Sequence, residues 1–165
     1  MITLVLGGTR SGKSAVAEAL AGRGPPPIIY VATGTAAGDD DMAERIAAHR
    51  ARRPASWVTV EAGADVAGTL AAHPDGTVLV DALGTWVAAH ANLSPDVDRL
   101  LDALSARRGP TIVVSDEVGL GVHPSSEAGR RFRDVLGAVN TAVADIAGDV
   151  LFVIAGRVLP LARPE

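Results

Sequence analysis

The 165-residue chain contains no cysteine, which excludes disulfides, thiolate nucleophiles and thiolate metal sites. Aromatic residues are scarce: two Trp, two Phe and one Tyr. A core must therefore come from Val, Leu, Ile and Ala. Basic charge is not in excess either. The formal net charge is −4, so no global field draws the chain to nucleic acid or an anionic membrane. No apolar run approaches the roughly 20 residues that span a bilayer. The opening "MITLVLGG" has no basic stretch before its apolar one and breaks at glycine, as a buried strand would and a signal peptide would not. The expectation is a cytoplasmic protein with no membrane segment. There is no internal repeat and no low-complexity tail, and the length suits one domain over 1–165.

What is present is an alternation of short β-branched runs with alanine-rich stretches. Strands are expected at 2–6, 28–32, 57–60, 77–81, 111–115 and 150–155, and helices near 13–22, 39–53, 63–72, 84–107 and 125–147. Most of the strands are apolar throughout rather than alternating, which indicates a sheet covered on both faces. Fold class is accordingly α/β: a mainly parallel sheet flanked by helices, of the P-loop NTPase type.

The first strand runs into "GGTRSGKS", Gly7, Gly8, Thr9, Arg10, Ser11, Gly12, Lys13 and Ser14, which matches G-x-x-x-x-G-K-[ST] at every fixed position. In such a loop backbone N–H groups face phosphate oxygens, the lysine reaches the β- and γ-phosphates, and the serine hydroxyl ligates Mg²⁺. A carboxylate at the end of another strand should help hold that ion. Asp81 closes "VLVD" and Asp116-Glu117 close "IVVSDE"; Asp81 is the preferred ligand. Both "DALG" and "DEVG" match the D-x-x-G of switch GTPases, but no N-K-x-D guanine-reading motif occurs in the chain.

The segment "DDDMAERIAAHRARRP" places acids at the start and arginines at the end of an expected helix, the charge order favoured by its dipole. Met42, Ile46 and His49 fall on one stripe. By spacing alone His49 is either a packed histidine or a reactive one. Arg50 and Arg53 are either a solvated helix end or partners for phosphoryl oxygens.

Taken together, "LVLGGTRSGKS", "YVATGTAAGDDDMAERIAAHRARRP", "VLVDALGTWV", "VVSDEVGLGVHP" and "GRRFRDVLGAVN" resemble, in order, the bifunctional adenosylcobinamide kinase/adenosylcobinamide-phosphate guanylyltransferase family of cobalamin biosynthesis. The resemblance covers essentially the whole chain. It implies phosphorylation of a corrinoid alcohol by ATP or GTP with Mg²⁺. It also implies transfer of GMP from GTP through a covalent histidine, His49, with Lys13 as the other catalytic residue. The nucleotide site it implies adds Thr33, Gly34, Thr35, Arg50, Ala51, Arg52, Arg53, Glu61 and Asp81 to the phosphate loop, with Ser14 and Asp81 on the metal. Glu61 is either a guanine acceptor or a surface glutamate, and Glu117 could serve the kinase step or corrinoid binding. The resemblance further implies a homotrimer.

Some positions depart from the family's usual pattern. Asp116 stands where Asn is common, Ala82-Leu83-Gly84 where Cys-Leu-Thr is common, and Ser125-Ser126 follow Pro124 where Glu-Asn is common. Loss of the kinase step or an altered corrinoid preference would follow from changes there. Two other readings remain open. One is a plain P-loop small-molecule kinase indifferent to His49, and the other is a non-catalytic GTP-binding switch.

Overall fold

The computed structural model describes residues 1–34 and 53–163. The helix expected over 39–53, apart from Arg53, and the candidate residues Thr35, His49, Arg50, Ala51 and Arg52 lie outside the described residues.

Seven strands form one sheet in the order β3-β2-β4-β5-β1-β6-β7. The strands are β1 (Ile2–Gly7), β2 (Ile28–Ala32), β3 (Val58–Glu61), β4 (Thr77–Asp81), β5 (Thr111–Asp116), β6 (Asp149–Ile154) and β7 (Arg157–Pro160). All neighbouring pairs are parallel except β6 with β7. The apolar runs sit in the middle: β4 and β5 are buried along all but their last residue, whereas the edge strands β3 and β7 are largely exposed. β7 is absent from the sequence reading. It returns from β6 through the two-residue turn Ala155-Gly156, both at positive φ (50° and 72°), the backbone that a tight hairpin needs.

The described helices are α1 (Lys13–Ala21), α2 (Val66–Ala72), α3 (Leu83–Ala88), α4 (Val97–Ala106) and α5 (Glu127–Ile146). The single helix expected over 84–107 is therefore wrong. It divides into α3, a 3₁₀ turn at Ala91–Leu93 and α4. Pro95 disfavours helical backbone at Ser94, and Asp96 restarts the helix by accepting the Arg99 N–H at 3.0 Å.

The described helices cover the two sheet faces unequally. Leu4, Leu6, Val31, Val78, Val80 and Val113 pack with Leu70, Leu83, Leu100, Leu104 and Leu136 of the other four helices. The opposite face carries Val5, Tyr30, Leu79, Val114 and Val153 against α1, whose fully buried Ala17 and Ala21 let the helix lie close to the sheet.

Candidate active site

The phosphate loop follows β1 at the carboxyl ends of the parallel strands, where α/β sheets bind ligands. Gly12 starts α1 at φ 94°, a left-handed backbone that favours glycine. The loop is braced from the unforeseen β6–β7 turn: Gly156 donates its N–H to the Ser11 carbonyl at 2.7 Å, and a Cβ on Gly12 would lie 3.2 Å from Gly156 Cα. The β6–β7 hairpin thus shapes the loop.

Lys13 is 8% exposed. Its ammonium donates to the Gly8 carbonyl at 3.3 Å and pairs with Asp116 Oδ1 at 2.6 Å. Register explains the pairing. Gly7 lies beside Asp116 in the β1–β5 ladder, so the last residue of β5 stands next to the mouth of the loop. Asp116 is itself held from below. Asn140, buried on the apolar stripe of α5 between Leu136 and Val143, donates through Nδ2 to the Asp116 carbonyl at 3.0 Å and accepts from the Ser115 hydroxyl at 2.5 Å.

Asp81, the carboxylate favoured for the metal, ends β4 level with Val114, two residues short of Asp116 along the strands. It shares the α1 side of the sheet with Leu79 and Tyr30. The Tyr30 hydroxyl donates to Asp81 Oδ2 at 2.8 Å. Burial, then the charge and hydrogen bond of Asp81, push the Tyr30 phenol well above its ordinary range. Over one face of the ring lies Arg53, its guanidinium carbon 3.5 Å from the ring centroid and Nη1 donating to Thr59 Oγ1 at 3.2 Å. Glu61 ends β3 in line with Ala32 and Asp81 across the sheet. Ser14 follows Lys13 in the first turn of α1, and Asp81 and Glu61 end their strands level with one another beside Ala32. These hard oxygen donors suit Mg²⁺, which takes few protein ligands and completes its shell with water and phosphate. Among the described residues no group of three or more His, Cys, Asp or Glu is placed to hold a metal.

The other candidate residues and the remaining histidines have local partners of their own. Thr33 is buried, its hydroxyl donating to the Ala82 carbonyl at 2.7 Å and accepting from the Ala82 N–H at 2.9 Å, so it fastens β2 to the end of β4. Gly34 lies against Thr85. Glu117 accepts from the Gly119 N–H at 2.5 Å, folding its carboxylate onto its own loop. His73 and His90 each donate Nδ1–H to a carbonyl four residues back, at 2.9 and 2.8 Å, while His123 accepts from Arg133. The Lys13–Asp116 pair, Asn140, Tyr30 and the Ala155-Gly156 turn escaped the sequence reading. Only the turn left a local signal, a small residue and a glycine between two apolar runs.

Comparison with known proteins fits this geometry. The sequence model of the family described as "Cobinamide kinase / cobinamide phosphate guanyltransferase" matches residues 3–161. The chain is 41% identical to the bifunctional adenosylcobalamin biosynthesis protein CobP of Pseudomonas aeruginosa, over 98% of this chain and 97% of that protein. It is 33% identical to the bifunctional adenosylcobalamin biosynthesis protein CobU of Salmonella typhimurium, over 94% and 97%. Among solved structures, an ATPase from the type III secretion system of pathogenic bacteria superposes with a TM-score of 0.55 at 12% identity. It covers 92% of this chain, which spans half of the ATPase chain, and the likeness shows the P-loop fold alone.

Proposed function

The chain belongs to the cobinamide kinase / cobinamide phosphate guanyltransferase family, and from that premise we propose that it phosphorylates a corrinoid alcohol and then caps the phosphate with GMP through His49. In the first step the acceptor hydroxyl attacks the γ-phosphorus of ATP or GTP, and the nucleoside diphosphate leaves. In the second an imidazole nitrogen of His49 attacks the α-phosphorus of GTP and pyrophosphate leaves. The acceptor's phosphate oxygen then displaces histidine from the guanylyl group. Lys13 and the loop N–H groups carry the phosphate charge in both steps. A magnesium ion, with Ser14 and Asp81 as its protein ligands, would supply further positive charge.

The observation that carries this reading is Arg53. It is the last residue of the H-R-x-x-R segment, and it is stacked on Tyr30, which is bonded to Asp81 on the phosphate-loop side of the sheet. His49 stands four positions before it in the sequence, a span of at most about 14 Å for an extended chain. Chain connectivity alone thus keeps the histidine within that distance of Arg53, which supports assigning it to this site. Arg50 and Arg53 are its charge partners, Ala51, Arg52, Gly34 and Thr35 complete the nucleotide's surroundings, and Glu61 accepts from guanine. Glu117 is assigned to the acceptor side.

No described helix is long and apolar enough to cross a membrane, and a cytoplasmic homotrimer completes the proposal. Exposed Val158 and Leu159 on β7, with Leu161 just beyond it, are the kind of surface that a subunit contact covers. The test is a separation of activities. His49→Ala should abolish guanylyl transfer while leaving acceptor phosphorylation within about threefold of the parent; guanylyl transfer that survives in the variant would overturn the role of His49, and a parent that phosphorylates the acceptor but transfers no guanylyl group would be a plain kinase.

A further inference from the structure

Two of the positions that depart from the family pattern, Asp116 and Gly84, meet in the fold. One oxygen of Asp116 is on Lys13 at 2.6 Å, and the other faces Gly84. A Cβ at Gly84 would come within 2.7 Å of that second oxygen, while its next neighbours would be at an ordinary 3.7 Å. The space left by the missing side chain is therefore the space the carboxylate uses. The backbone of Asp116 is fixed by the ladder with Gly7 and by Asn140, so its remaining freedom is side-chain rotation. The pair sits at an open rim, with the aspartate side chain 33% exposed and the lysine 10%.

An arriving triphosphate and the Asp116 carboxylate compete for the same ammonium, and they repel one another. A triphosphate carrying a divalent cation removes that conflict, because it offers the carboxylate a positive partner of its own. We propose that Asp116 is the resident counter-ion of Lys13 and makes phosphate binding contingent on an accompanying divalent cation, with Gly84 as the position that admits the carboxylate in this pose. Asp116 is thus a positioning residue that discriminates metal-complexed from free nucleotide. The inference rests on the phosphate loop being the nucleotide site and is independent of His49.

The test is equilibrium binding of GTP to the full chain in Mg²⁺ and in EDTA. Asp116→Asn, nearly isosteric, should tighten metal-free GTP by about tenfold, the scale of one charge-assisted contact released, and alter magnesium-GTP much less. Gly84→Ala should move metal-free affinity the same way by a smaller factor, by displacing the carboxylate from Lys13. Combined with Asp116→Asn it should add nothing. Unchanged or weaker metal-free binding in Asp116→Asn, or additive shifts from the two substitutions, overturns the proposal. Failure of the parent chain to bind magnesium-GTP overturns the nucleotide-site reading and this inference with it.

Discussion

Lys13 and Arg107 are equally buried, each 8% exposed, at opposite ends of the same sheet. Arg107 closes α4 at the amino ends of the strands and is held by neutral oxygens. It donates Nε–H to Thr111 Oγ1 and Nη2–H to the Gly76 carbonyl, both at 2.8 Å. Its neighbour Arg108 takes the nearby carboxylate, Asp75, through two bonds at 2.8 and 2.6 Å. Among the described residues Lys13 instead has a single ionic partner, Asp116, at an open rim. Equal burial therefore hides opposite designs. A cation held by a buried hydroxyl and a backbone carbonyl ties the starts of β4 and β5 together. A cation facing an exchangeable carboxylate is ready to change partners. Burial alone does not mark a site; the kind of partner does.

That contrast can be broken from either side. Lys13→Met should have the largest effect, lowering kcat/KM for both transfer steps by about 10²–10³-fold, as loss of one strong transition-state donor does. Unfolding by denaturant should change little, because the released Asp116 carboxylate can be solvated at the rim. Arg107→Met should do the reverse. Orphaning the Gly76 carbonyl and the Thr111 hydroxyl should cost about 2–3 kcal/mol in a urea melt, with kcat/KM within about threefold of the parent under conditions where the variant is folded. A stability loss at Lys13 as large as at Arg107 would erase the distinction.

Tyr30 gives the smallest and sharpest effect. Its phenol is held protonated by burial and by Asp81, so its folded value lies above the unfolded value of about 10. The folded chain then binds the proton more tightly than the unfolded chain does. The resulting stability is fully present below about pH 10 and is lost as pH rises from there towards the folded value. Tyr30→Phe should cost about 1 kcal/mol at neutral pH and should flatten the fall in stability between about pH 10 and 11. A parent and variant with parallel alkaline melts would contradict the assignment.

The sheet was legible because its central strands are apolar on both faces: 28–32 and 77–81 agree with β2 and β4 at both ends. The exposed hairpin strand β7 has no such signature, since an edge strand buries little. The false helix over 84–107 came from following composition past Ser94-Pro95. In the site, the loop from Gly7 to Ser14 is one contiguous segment and could be read directly. The partner of Lys13 lies about a hundred residues away and is set by strand order, with β5 inserted between β1 and β4. No spacing in the sequence reports that order. Tyr30 and Arg53 are likewise brought together by the folding of β2 and β3, not by sequence proximity.

The central claim is that His49 carries the guanylyl group, and self-labelling tests it most directly. The protein is incubated with Mg²⁺ and GTP labelled at the α-phosphate, denatured, and assayed for retained label, beside γ-labelled GTP and His49→Ala. Acid-labile label from the α position only, absent in the variant and discharged by a phosphorylated corrinoid acceptor, is the predicted result. GTP that binds but leaves no label on the parent chain, or label that survives in His49→Ala, would contradict it.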